Sequence, residues 1–123
     1  MVGIGVDIVA VERVAALLAR HGDRFEQRCF RPAECTLARG RPTGRAAALA
    51  ARWAAKEAFL KALGRPTAGV HPRDIEVVRD EAGRPSLRLH ATAAAALAAA
   101  GGTRAHVSLS HERTHAVAVV LVE

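Results

Sequence analysis

Arg52-Trp53-Ala54-Ala55-Lys56-Glu57-Ala58-Phe59-Leu60-Lys61-Ala62-Leu63-Gly64 decides how this chain folds. Nearly every residue is a strong helix former, and Gly64 stands where a left-handed cap ends a helix. Ala50, Ala54, Ala58 and Ala62 recur at every fourth position, a stripe of small side chains that permits close packing. On another stripe, Trp53, Glu57 and Lys61, a carboxylate has an aromatic one turn before it and an ammonium one turn after. Taken alone, Glu57 and Lys61 read as a surface ion pair worth about 0.3 kcal/mol. A role in holding a hard cation requires a second carboxylate, because such ions are held by oxygen ligands.

Asp7 is the candidate for that second carboxylate. Val2-Gly3-Ile4-Gly5-Val6-Asp7-Ile8-Val9 alternates with period two. Val2, Ile4, Val6 and Ile8 share one face, which the alternation predicts to meet the core. Gly3, Gly5 and Asp7 share the other. Glycine weakens a strand unless backbone or ligand approaches closely there. A carboxylate beside a face cleared by glycines is therefore a candidate ligand site, and it is equally compatible with a capping Asp on an edge strand.

Outward from these segments, the chain alternates helices with strands. Val11 to Arg20 has helical period, with Val14, Leu17 and Leu18 inward and Arg13 and Arg20 on an exposed face; Gly22 ends it. A short helix is expected from Asp23 to Cys29, and another between Pro32 and Gly40. Arg41-Pro42-Thr43-Gly44-Arg45 is a basic turn, in which Thr43 could cap the long central helix to Leu63. Asp74 to Arg79 and Ser86 to His90 read as strands around an Asp80-to-Pro85 hairpin loop. Thr92 is a candidate cap for the alanine-rich helix that Gly101-Gly102 ends. Val107-Ser108-Leu109-Ser110-His111 and Ala116 to Val122 are the closing strands; His106, Ser108 and Ser110 make one face of the first polar. The expected fold class is α+β: one small domain over residues 1–123, a mainly antiparallel sheet packed against the long central helix.

Composition narrows the function. Half of the 123 residues are apolar but only 3% are aromatic, so Ala, Val and Leu fill the interior. Alanine buries little area per residue, which makes stabilisation by self-association plausible, and the apolar closing strands offer a surface for it. A net charge of +6, dominated by arginine, predicts an acidic or phosphate-rich partner. There is no helix-turn-helix signal, zinc-finger spacing or aromatic strand motif, which argues against a nucleic-acid-binding module. No run of about 18 apolar residues is present, and no signal peptide is evident. Cys29 and Cys35, the only cysteines, read as free thiols of a cytoplasmic protein.

His111-Glu112-Arg113-Thr114-His115 matches the zinc-hydrolase pattern H-E-x-x-H. That pattern works on a helix, which puts both imidazoles on one face with Glu as general base. Here the flanks are rich in β-branched residues and read as strands, and no third ligand follows.

Three segments together resemble the holo-(acyl-carrier-protein) synthase family of 4′-phosphopantetheinyl transferases. They are Gly3-Ile4-Gly5-Val6-Asp7-Ile8, Arg52 through Gly64, and Ser108-Leu109-Ser110-His111. Phe30 with Glu34, and the turn Ala82-Gly83-Arg84-Pro85, match smaller family elements. Trp53 stands where the family usually has Phe, and His115 where an aromatic is common. The resemblance implies transfer of the 4′-phosphopantetheine arm of coenzyme A to a serine of an apo acyl carrier protein, leaving adenosine 3′,5′-bisphosphate. It implies Mg2+ held by Asp7 and Glu57, with Lys61 pairing with the phosphates and Glu57, directly or through water, as candidate base. Lys56, one residue from Glu57, points elsewhere. It implies that Arg45, Arg52, Gly83, Arg84, Pro85 and His111 lie along the nucleotide end of coenzyme A. It also implies carrier-protein docking on Arg13, Arg20 and Arg24, and a homotrimer with sites shared between neighbouring chains.

Overall fold

Helix α4, Arg45–Leu63, is the axis of the molecule, and the computed structural model describes residues 2–123 around it. Ala50, Ala54 and Ala58 are fully buried, and Ala62 is nearly so. Gly64 ends the helix in the left-handed conformation, φ 64° and ψ 24°, its N–H donating to the Lys61 carbonyl. The helix starts after Gly44, and no side chain caps it; Thr43 lies one residue too early.

Strand β1, Gly3–Ala10, leads through α1 (Val11–His21), α2 (Asp23–Cys29) and α3 (Pro32–Arg39) into α4. A single 3-10 turn, Pro72–Asp74, then precedes β2 (Ile75–Arg79), β3 (Pro85–Leu89), α5 (Ala91–Ala99), β4 (Ala105–His111) and β5 (His115–Val122). All strand pairing is antiparallel, divided into a sheet of order β1-β5-β4 and a β2-β3 hairpin. Asp74 thus belongs to the 3-10 turn rather than to a strand. Thr92 lies inside α5, whose N-cap is His90; its hydroxyl donates instead to Asp74 Oδ2 at 2.5 Å. Among the described residues no helix is long and apolar enough to cross a membrane.

The orientation of β1 is opposite to the one its alternation predicts. Ile4, Val6 and Ile8 are 61, 55 and 63% exposed, while the glycine face packs on α4. The reason is the closeness of the two backbones. A Cβ on Gly5 would stand 2.6 Å from the Ala62 nitrogen and closer still to the Ala58 carbonyl; Gly3 meets the Ala62 carbonyl in the same way. No side chain fits between strand and helix there, so the branched residues point outward. The register aligns Ile4 with Leu121 and His106, Val6 with Val119 and Ser108, and Ile8 with Val117 and Ser110. The outer sheet face is therefore apolar over β1 and β5 and polar over β4.

The core on the other side joins the alanine stripe to Leu49, Phe59, Ile75, Val120 and Val122. Phe25 packs edge-on to Phe30 with centroids 5.7 Å apart and stacks on Trp53 at 5.3 Å, which fastens α2 to α4.

Candidate active site

The close approach of β1 to α4 brings Asp7 to the stripe that carries Glu57 and Lys61. Lys61 Nζ donates to Asp7 Oδ1 at 2.9 Å and to the Val6 carbonyl at 3.2 Å. Lys61 thus pairs across to the strand rather than along the helix to Glu57. Partial burial raises the Glu57 pKa above its ordinary value, and the charge of Asp7 raises it further, against the lowering effect of Lys61 and Arg13. Two half-buried carboxylates on separate elements therefore repel each other. Asp7 is an edge-strand residue, but its carboxylate faces α4 and caps no helix.

Lys56 serves the core. Its ammonium is 3% exposed, donates to Glu34 at 2.8 Å and to the Ile75 and Pro72 carbonyls at 2.7 and 3.0 Å, and lies over the Phe30 ring. Glu34 also accepts from the Arg31 N–H at 3.0 Å and the Val77 N–H at 3.2 Å. This network locks α3, α4 and β2 together around Glu57's neighbour on the helix. The Phe30 and Glu34 match hinted at it, although sequence alone did not disclose the Lys56 partner.

A second group lies apart from Asp7, Glu57 and Lys61. Arg41, Thr43, Ala48, Arg52, Arg79 and His111 are among the residues around a cavity of about 270 Å3, and none of its lining residues is acidic. Arg52 is 2% exposed. Burial lowers its pKa to about 10, with Arg79 and Arg41 acting in the same direction. Arg79 Nη1 donates to the Gly83 carbonyl at 2.6 Å, tying the Gly83-Arg84-Pro85 turn to this cavity. His111, at the end of β4, opens onto an adjoining cavity with Val11 and Arg113. Arg41 and Arg79 were not singled out from sequence; only the basic character of the 41–45 turn pointed toward them.

Arg45 stands elsewhere. Its guanidinium Nε donates to Oε2 of the buried Glu26 carboxylate at 3.0 Å, and Nη2 lies in ion-pair range of Oε1 at 2.6 Å. Arg13, Arg20 and Arg24 are exposed on α1 and α2. Cys29 and Cys35 are free, and burial raises both thiol pKa values.

His111 and His115 end β4 and begin β5, joined by a turn in which the Thr114 N–H donates to Glu112 at 2.9 Å. The helix that H-E-x-x-H zinc chemistry requires is absent. Among the described residues no group of three or more His, Cys, Asp or Glu side chains is placed to hold a metal.

Comparison with known proteins agrees with this arrangement. The model of the 4′-phosphopantetheinyl transferase superfamily matches residues 3–120. The chain belongs to that superfamily. A holo-[acyl-carrier-protein] synthase of Halorhodospira halophila is 52% identical over 98% of this chain and 95% of its own length. Another, from Nitratidesulfovibrio vulgaris, is 48% identical over 100% of this chain and 98% of its own. The solved ACPS–CoA complex of Chronobacterium ammoniagenes superposes with a TM-score of 0.87 at 37% identity, covering 98% of this chain and 96% of that one. Within the superfamily the chain stands among the holo-[acyl-carrier-protein] synthases, and it is an enzyme of that kind.

Proposed function

We propose that this chain moves the 4′-phosphopantetheine group of coenzyme A onto a serine of an apo acyl carrier protein, releasing adenosine 3′,5′-bisphosphate, with Mg2+ as cofactor. One observation carries the reading of the site: Lys61, one turn along α4 from Glu57, donates to Asp7 on β1, which joins the strand carboxylate to the helix stripe that carries Glu57.

Two carboxylates without a third protein ligand suit Mg2+, which keeps waters and takes further ligands from phosphate oxygens. When bound, the ion would neutralise the diphosphate and stabilise charge on the leaving group. Asp7 and Glu57 would hold it. Lys61 reaches the diphosphate from one turn along the helix. The carrier serine oxygen forms the new bond to the phosphorus that bears the pantetheine arm, and the bond to the bridging oxygen breaks. Glu57, directly or through water, takes the serine proton. Arg52, His111 and the Gly83-Arg84-Pro85 turn receive the nucleotide end, while Arg45, held by Glu26, fixes α2 against the start of α4.

The carrier protein docks on Arg13, Arg20 and Arg24, whose exposed charges complement an acidic surface. Three copies associate through the outer face of the sheet, so that Asp7 and Glu57 of one chain meet the Arg52 cavity of another. The apolar rows of β1 and β5 support this. The free thiols fit a cytoplasmic enzyme of fatty-acid or polyketide biosynthesis.

Intact-protein mass spectrometry of apo carrier proteins incubated with this protein, coenzyme A and Mg2+ tests the reading. The expected result is a phosphopantetheine mass increase that requires Mg2+. No increase on any of several fatty-acid and polyketide carriers, with folded protein, would refute it.

A further inference from the structure

Lys61 holds a carboxylate oxygen that a hard cation would also use. Its ammonium donates to Asp7 Oδ1 at 2.9 Å and to the Val6 carbonyl at 3.2 Å, and both acceptors belong to β1, at the edge of its sheet. The chain's other lysine, Lys56, shows the contrast. It is enclosed by Glu34 and two carbonyls and lies over the Phe30 ring, so it cannot change partners without opening the core. The Lys61 side chain is 57% exposed, and rotation about its own stem is enough to carry its ammonium elsewhere. The Asp7 side chain is only 15% exposed and stays where the strand puts it.

These two facts set up a competition. An ammonium at hydrogen-bond distance from Oδ1 repels a divalent ion on either oxygen of the same carboxylate. Asp7 therefore serves one cation well at a time. To draw Lys61 away takes an anion with more charge than a single carboxylate, and the diphosphate of coenzyme A is one. We propose that Lys61 is an internal competitor for Mg2+ that leaves Asp7 when the diphosphate arrives, so that the enzyme takes up its metal with coenzyme A rather than before it. The proposal rests on the transferase reading above and adds an order of assembly to it. The coupling is reciprocal: the factor by which coenzyme A tightens Mg2+ is the factor by which Mg2+ tightens coenzyme A. A lysine that merely steadied Asp7 would have the opposite signature, because its loss would loosen the carboxylate and weaken the metal.

Calorimetric titration of Mg2+ into the full-length protein reads this with no carrier protein present, so nothing turns over. It is done without and with saturating coenzyme A, against blanks of Mg2+ and coenzyme A; Mn2+ followed by electron paramagnetic resonance gives a second readout. Lys61→Met should bind Mg2+ alone about tenfold more tightly than wild type, and the gain that coenzyme A brings should shrink by a similar factor. Lys61→Arg, which keeps a cation beside Asp7, should stay as weak as wild type. Arg65→Met removes a charge four residues further on, from a side chain bonded to the Ala99 carbonyl instead of Asp7, and should move Mg2+ affinity by less than about twofold. Unchanged or weaker Mg2+ binding by folded Lys61→Met, or equal tightening by Arg65→Met, would overturn the competitor and leave the transferase reading intact. No Mg2+ binding by wild type even with coenzyme A would overturn the competitor and the metal site together, and transfer to a carrier protein, measured separately, would still decide the activity. The expected affinities in a protein that transfers nothing would support the competitor and sink the transferase reading instead.

Discussion

Gly5 and Ala58 are in direct backbone apposition, with no room for a side chain between β1 and the middle of α4. This contact sets the distance at which Asp7, two residues along the strand, faces Lys61 and Glu57. Gly5→Ala should therefore damage both stability and the site. Urea unfolding should register a loss of about 1–3 kcal/mol, the range for overpacking. Activity should fall more than the folded fraction does. A variant with wild-type stability and turnover would show that the strand can shift outward freely, and that the spacing does not govern the site.

The same contact explains what could be read from residues alone. Helix α4 was legible because its propensities and Gly64 agree, and β1 because its alternation is unbroken. The covered side of β1 was not legible. A row of Val and Ile ordinarily marks the buried face, but here an alanine-faced helix demands glycine opposite it, and the branched row is displaced to the outside. Asp7 stood out as a second carboxylate for Glu57 because its strand face is cleared by glycines, and the resemblance made the two one metal site; nothing in either segment encodes their meeting. Lys56 escaped because a buried lysine is rare and its partners, Glu34, Pro72 and Ile75, are distant in sequence. Arg45 was read toward phosphate for the same reason in reverse, since its partner Glu26 lies on a helix that looks surface-bound.

Glu57 also carries a pH signature. Its folded-state pKa is raised, so over the interval above the ordinary carboxylate value the folded chain keeps a proton that the unfolded chain has lost. Through this group, metal-free protein loses stability as pH rises across that interval. Mg2+ binding requires the ionised form and competes with the proton. The acid limb of kcat/KM should therefore lie above the ordinary carboxylate range and move to lower pH as Mg2+ is raised. Asp7→Asn and Glu57→Gln should each lose on the order of a hundredfold or more in turnover while keeping the wild-type circular dichroism spectrum. A limb unmoved by Mg2+ would detach Glu57 from the metal.

Lys56 should behave as a structural residue. Removing one partner of a buried pair strands the other, so Lys56→Met should destabilise by about 3–5 kcal/mol in urea. Glu34→Gln should cost less, because an amide oxygen can still accept from the Arg31 or Val77 N–H. If Lys56→Met instead abolished turnover with stability unchanged, the lysine would belong to the reaction.

Docking on α1 makes a salt-dependent prediction. Arg13 and Arg20 are exposed, and Arg13 is also near enough to lower the Glu57 pKa. Replacing both by Glu should slow carrier-protein association and flatten its dependence on ionic strength, since exposed charges act mainly through steering. Affinity for adenosine 3′,5′-bisphosphate should change little. Surface plasmon resonance over a salt series with apo carrier protein reads the first, and calorimetry the second. Carrier affinity equal to wild type at every salt concentration would move docking off this helix.

The outer sheet face makes the last prediction. Ile4, Val6 and Ile8 are each more than half exposed on a three-stranded sheet whose next row, Val117, Val119 and Leu121, is partly exposed. A continuous apolar surface of this kind is stable in water when a second copy covers it. Light scattering on wild type should give the mass of a trimer. Val6→Lys, at the centre of the face, should dissociate it while leaving each chain's secondary structure intact, because Val6 makes no part of the inner core. Turnover should fall with dissociation, since the Asp7, Glu57 and Lys61 group and the Arg52 cavity share no lining residue within one chain. Mixing Glu57→Gln with His111→Ala, each inactive alone, should restore part of the activity through hybrid sites that unite an intact metal half with an intact nucleotide half. A monomer with full turnover at assay concentration, or mixtures no more active than their components after subunit exchange, would put both halves of the site on one chain.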